Sequence, residues 1–89
     1  MKVFDWNEQK NTELKQSRNV SFEDVVLHIT NGDIIDIVEH HNSDKYPNQQ
    51  IFVLNINDYI YYVPFVEDEQ KVFLKTIIPS RKLTRKYLK

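Results

Sequence analysis

Seven cations close this chain with no carboxylate among them: Lys71, Lys75, Arg81, Lys82, Arg85, Lys86 and Lys89. Residues 1–70 hold all 13 acids and only five bases, a net charge of −8, whereas residues 71–89 carry +7. The whole-chain net charge of −1 hides this division. Cations gathered so closely repel one another unless an anion or a dipole answers them. The answering group is phosphate, an acidic partner or the acidic part of the same chain. Asymmetry of this kind points to a nucleic-acid or partner surface.

The spacing inside this tail sharpens the expectation. Arg81 and Arg85 are four apart and share one face of a helix, with Lys82 and Lys86 on the neighbouring face. Ser80 and the free amides of the helix start stand at the positive end of the helix dipole. A helix start flanked by arginines receives phosphate well. Lys75, Ser80, Lys82, Thr84 and Lys86 are therefore the candidate phosphate or RNA contacts, with Arg81 and Arg85 at the reacting group. The other reading is a basic helix that is merely solvated or docks a partner protein.

Metal-independent RNA cleavage needs a base for the 2′-hydroxyl, an acid for the 5′-oxygen and cations for the charge on phosphorus. His40 titrates in the right range and would complete a set with Arg81 and Arg85 if its loop folds over the basic helix. His41 follows directly, and adjacent strand residues point to opposite faces, so the two do not act together. A pair of loop histidines without chemistry is the plainer alternative. His28 falls in a helix and reads as structural.

Other chemistries find little support. Asp33, Asp36, Glu39 and the histidines are close in sequence but lack a metal-ligand spacing, so neither metal nor cofactor is expected. There is no P-loop, no dinucleotide glycine pattern and no Ser-His-Asp signature. The absence of cysteine excludes disulfides and thiolate chemistry. Tyr59, Tyr61, Tyr62 and Phe65, with Tyr46 and Tyr87, have the ring faces needed to stack bases. Alternation puts Tyr59, Tyr61, Val63 and Phe65 on one face and Ile60 and Tyr62 on the other, and packing within a sheet is their default use.

The elements that would position these groups can be read in order. Residues 7–18 form a polar helix with Leu14 as its main apolar contact, opened by a capping box from Asp5 to Glu8. Ser21 caps a second helix, with Asp24 three residues on and Val20 stapling to Val25. Phe22, Val25, Val26 and Ile29 make its apolar stripe, and Asn31-Gly32 ends it. Period-two strands follow over 33–39, 51–56, 59–66 and 72–78. A polar loop spans 40–50, and tight turns fall at Asn57-Asp58 and 67–70. Pro64 cannot donate to a ladder, so an edge, a bulge or a strand end is expected there. Pro79 and Ser80 open a short basic helix to the end of the chain.

The expected fold is thus a single α+β domain over residues 1–89, with two N-terminal helices, a four-stranded antiparallel sheet and a short basic C-terminal helix. Eighty-nine residues suit one domain with a thin stability margin. The charged opening MKVFDWNEQK has no apolar core, and no apolar run approaches the ~20 residues of a membrane span. A cytoplasmic location and no membrane partner are expected.

Three motifs resemble one family. Phe4-Asp5-Trp6-Asn7 followed by Lys10-Asn11 is similar to the opening of BrnT-like toxins, where a Phe/Trp-Asp motif precedes a Lys-rich helix. Val20-Ser21-Phe22-Glu23 resembles the family's Val-Ser-Phe-Glu helix start. Ile78 to Lys86 resembles its Ile-Ser-Ala-Arg-Lys-Ala-Thr-Arg-Lys ending. The motifs run in the same order along nearly the whole chain. Pro79 stands where the family has a small residue, and Tyr87 where an acid often follows the last basic pair. The middle of the chain resembles a branch with a Lys-Tyr-Pro-Asn-Gln loop.

The resemblance implies a RelE-like fold and ribosome-independent RNA cleavage that arrests translation. It also implies a cognate antitoxin of the ribbon-helix-helix type, through which alone operator DNA would be bound. The residues it carries over are Arg81, Lys82, Thr84 and Arg85.

Overall fold

A computed structural model of the chain describes residues 2–39 and 49–88. It is a mixed α/β fold in which three helices accompany an open sheet. In chain order the elements are β1 (Val3–Asp5), α1 (Glu8–Arg18), α2 (Phe22–Thr30), β2 (Ile34–Glu39) and β3 (Gln49–Ile56). β4 (Tyr59–Glu67), β5 (Lys71–Leu74), β6 (Ile78–Pro79) and α3 (Arg81–Leu88) complete it.

The sheet departs from the expected four antiparallel strands. It has six strands, in the order β1-β5-β4-β3-β2, with β6 also paired to β4. β1 lies parallel to β5, Val3 opposite Lys71, and the other pairings are antiparallel. Residues 3–5 were expected only to lead into a helix. Asp5 accordingly belongs to β1 and accepts the Trp6 amide, and Asn7 caps α1 by accepting from the Lys10 N–H at 2.9 Å.

The strand expected over 72–78 is two strands, β5 and β6, with a crossing between them. Pro64 explains how the sheet tolerates this. It sits buried inside the central strand β4, not at an edge or strand end. Counted from the hairpin's closing pair Ile56–Tyr59, its nitrogen faces away from β3. On that side Phe65–Glu67 pair with β5 and Tyr61–Tyr62 with β6, so the proline falls in the gap. No ladder bond is lost, because the missing donor has no strand opposite it. The Pro64 carbonyl still accepts from the Lys75 N–H at 2.8 Å.

The β3–β4 hairpin closes as expected at Asn57-Asp58. Both residues have positive φ, 54° and 65°, which suits the right-handed twist of the strands. The Asn55 side chain accepts the Asp58 N–H at 3.0 Å.

α2 follows its local sequence. Ser21 accepts from the Asp24 amide, and the Asp24 carboxylate accepts from the Ser21 amide. Gly32 takes φ of 83° just past the helix end, where a side chain would be strained. α1 has little apolar surface of its own. Its buried residues are Leu14 and Asn11, and Asn19 ends it in the left-handed conformation.

One face of the sheet meets α1 and α2. Leu14, Phe22 and Val25 from the helices pack with Phe52, Leu54, Ile56, Val63, Phe65, Leu74 and Ile77. The Trp6 and Phe22 rings stack at 5.7 Å, and Phe52 and Phe65 at 4.0 Å. Asn11 links the two helices from inside this layer. Its Oδ1 accepts the Phe22 N–H at 2.8 Å and its Nδ2 donates to Glu23 at 2.7 Å. Val53 and Ile60 are buried but face the other way, at the side where α3 meets β4.

Candidate nucleic-acid interface

The basic helix is fastened to the sheet by its two hydroxyl residues. Ser80 is buried; its N–H donates to the Ile60 carbonyl at 2.9 Å and its Oγ accepts the Leu83 N–H at 3.2 Å. Thr84 lies one turn on. Its hydroxyl donates to the Ser80 carbonyl at 2.7 Å and accepts the Ile60 N–H at 2.9 Å. Ile60 can offer both main-chain groups because the β3–β4 ladder leaves them facing outward at this position. Ser80 and Thr84, expected as phosphate contacts, thus spend their hydroxyls within the fold, Ser80 on capping α3 and Thr84 on holding it against β4.

With its start tethered, α3 presents its cations outward. Arg81, Lys82, Arg85 and Lys86 are all exposed. Among the described residues no carboxylate lies within ion-pair distance of any of them, or of Lys75. Lys71 differs, since it pairs with Asp5 at 3.5 Å across the β1–β5 contact. Lys86 lies over the neighbouring Tyr87 ring at 5.4 Å. Lys75 sits off the helix, in the crossing between β5 and β6, with its side chain exposed.

Arg85 also lines an open groove of about 660 Å³ with Thr84, Leu88 and Asp58. Asp58 comes from the hairpin turn and was not singled out by its sequence, where Asn57-Asp58 read only as a turn signal. The groove sets one carboxylate near one guanidinium without an ion pair between them.

The proton-transfer group expected from the sequence, His40, lies outside the described residues, as do His41, Lys45 and Tyr46. The described imidazole is that of His28, at the last turn of α2. Its Nδ1 meets the Asp33 carboxylate at 2.8 Å, and the Asp33 N–H donates to the His28 carbonyl at 2.9 Å. The pair closes the turn after α2, in keeping with a structural role. Among the described residues there is no group of three or more histidines and acids placed to hold a metal ion.

The tyrosines divide as alternation requires. Tyr61 packs against the core beside Tyr59, with ring centroids 5.5 Å apart. Burial, then the neighbouring Tyr59, pushes the Tyr61 hydroxyl to ionise above its usual range. Tyr62 points to the opposite face, opposite Ile78 of β6. Tyr87 on α3 is the well-exposed ring next to the cations.

No helix among the described residues is long and apolar enough to cross a membrane. Comparison with protein-family models, curated proteins and solved structures finds no match.

Proposed function

We propose that this chain is the toxin of a type II toxin–antitoxin pair, a BrnT-like endoribonuclease of RelE-like fold whose basic C-terminal helix holds RNA. One observation carries the reading: Arg81, Lys82, Arg85 and Lys86 stand exposed on α3 with no carboxylate of the described chain paired to them. Four such charges on two turns of helix recruit phosphate, with Arg81 and Arg85 suited to bidentate contacts and the lysines to point-charge contacts. Tyr87 adds a ring on which a base can stack. In this reading the enzyme acts in the cytoplasm without a metal or cofactor. A ribbon-helix-helix antitoxin neutralises it and carries any contact with operator DNA. His40 supplies the proton transfer, and Arg81 and Arg85 stabilise the charge that develops on phosphorus.

The test is direct. The purified chain is incubated with a mixed-sequence RNA in excess chelator, beside a double variant, Arg81→Ala with Arg85→Ala, and a His40→Ala variant. The proposal expects cleavage by the native chain that survives chelation and is lost in both variants. Intact RNA under all conditions removes the enzymatic reading.

A second reading has its own support. The hydroxyls of Ser80 and Thr84 are already bonded within the fold, and the cations beside them face outward. A basic helix held in this way is also what a non-enzymatic nucleic-acid- or protein-binding module needs. That reading expects salt-dependent binding without turnover.

A further inference from the structure

The sheet ends on one side in β2, and this edge is unlike its opposite. β1 is three residues long and carries Lys2 beside it, bound to Glu67. β2 is six residues long and has neither lysine nor proline, the residues that commonly blunt an edge. Its apolar side chains are left uncovered: Ile37 is 48% exposed and Ile35 37%, while Leu27 on the adjoining α2 is 55% exposed. Ile37 is opposite Phe52, so it lies on the same face of the sheet as α2.

Among the described residues no strand pairs with the outer side of β2. In the β3–β4 hairpin Phe52 points its N–H and carbonyl toward β4. Its neighbour in β2, Ile37, must then point its own pair outward, away from β3. The Ile37 N–H is held only by the preceding side chain, Asp36, at 2.8 Å.

Charge selects the occupant. Residues 19–39 contain Glu23, Asp24, Asp33, Asp36 and Glu39 and no lysine or arginine. Glu23 is answered by Lys15 and Asp33 by His28, and Asp24 accepts the Ser21 amide, which leaves Asp36 and Glu39 as the acids of β2 without an ion pair among the described residues. A second copy pairing β2 against β2 in antiparallel fashion about Asp36 would bring Asp36 toward Asp36 and Glu39 toward Asp33, like charge against like, and about Ile37 would set Asp36 beside Val38 and Glu39 beside Ile35 with no cation to answer either. The bulge between Ile34 and Asp36 further breaks that symmetric register. An extended segment with apolar residues beside Ile35 and Ile37 and with lysine or arginine three apart, beside Asp36 and Glu39, fits the charge of this edge.

We propose that the open edge of β2 is a docking site for an extended basic strand of another protein, which adds to the sheet beside Ile35 and Ile37 and meets Asp36 and Glu39 with its cations. Main-chain bonds then supply much of the affinity and the alternating side chains the specificity. This site is separate from α3, so it stands whether or not α3 binds RNA.

A fluorescent peptide of about eight residues, with lysine at every third position and valine between to match the spacing of Asp36 and Glu39 and the length of the strand, is titrated into the full chain and followed by anisotropy. Three comparisons decide the outcome. The same peptide N-methylated at alternate amides can no longer pair along one edge. The Ile37→Lys and Ile35→Lys chains carry repelling charge at exposed positions, and two variants guard against one misfolding. The Arg81→Ala, Arg85→Ala chain tests independence from α3.

The expected result is saturable binding that weakens at least ~10-fold with the methylated peptide and with either β2 variant. It is unchanged in the α3 variant. Absence of binding overturns the proposal, as does binding indifferent to methylation or to the β2 variants. A native chain that sediments as a dimer, and as a monomer after Ile37→Lys, overturns it in favour of a second copy.

Discussion

The hydroxyl of Thr84 accepts the main-chain N–H of Ile60 at 2.9 Å, so a helix of which every second residue on average is a cation is bonded into the backbone of the central strand. Ile60 itself is fully buried. The arrangement separates two jobs within a short segment: Ser80 and Thr84 fasten, and the four cations between and after them face outward.

Replacing Thr84 by Val removes that acceptor and strands a buried donor. The expected loss is about 1–3 kcal/mol of unfolding free energy. Thr84→Ser restores the bond and recovers most of it. Urea denaturation of the three chains measures both effects, and equal stability of Thr84→Val and the native chain would refute the link.

Arg81→Ala with Arg85→Ala removes two exposed charges that bond to nothing else in the described chain. The melting temperature should hold within a few degrees. RNA affinity should fall, and the slope of log affinity against log salt should flatten by roughly 1 for each phosphate that is no longer neutralised. An unfolded double variant would make the arginines structural.

Core substitutions should rank by burial. Phe22 is fully buried between Trp6 and the sheet, and Phe22→Ala should cost about 3–5 kcal/mol. Val26 is only half-buried, so Val26→Ala should cost about 1–2 kcal/mol, from fewer methyl groups leaving water. Chemical denaturation of both variants checks the order.

Acid should loosen the contact between α1 and α2. The Asn11 amide, then the local main-chain amide and Lys15, hold the Glu23 carboxyl below its ordinary range. A lowered folded value means the stabilisation is complete above the carboxyl's unfolded value. It disappears as pH falls through the folded one. Glu23→Gln should therefore flatten the stability curve on the acid side, below about pH 5, and leave neutral stability nearly unchanged, since the carboxylate is exposed. Thermal melts across that range test the sign. A native curve already flat there would contradict it.

Asn11 itself should be far less tolerant than Glu23. It is buried, and its carbonyl satisfies the Phe22 amide. Asn11→Leu leaves that amide without a partner at an expected cost of about 1–3 kcal/mol, measurable in the same melts.

What the sequence displays is what neighbours along the chain decide. α2 was legible down to its capping box because Ser21, Asp24 and Gly32 act within a few residues of one another. The Asn57-Asp58 hairpin was legible for the same reason. Leu14 marked the docking side of α1, but Asn11 was unreadable as a core residue, since its partners lie on another helix. β1 was missed because its pairing partner is Lys71 to Phe73, far along the chain, and three residues carry no period of their own. The break between β5 and β6 was hidden because Lys75 is followed at once by the strand-forming Thr76, Ile77 and Ile78. Pro64 pointed to an irregularity but not to its place, which only the partner strands define. In the candidate site, the exposed cations followed from charge counting alone. The fastening role of Thr84 and the approach of Asp58 to Arg85 required the fold.

The parallel pairing of β1 with β5 bears on the order in which the protein assembles during synthesis. Val3 is translated well before the strand it joins, which follows β4. Until then the leading segment has no ladder to enter, and Phe4 and Trp6 stay without most of the core they finally cover. Such distant contacts slow folding. A nascent chain stalled before Lys71 should expose residues 3–5 to protease, and one released past Leu74 should hide them.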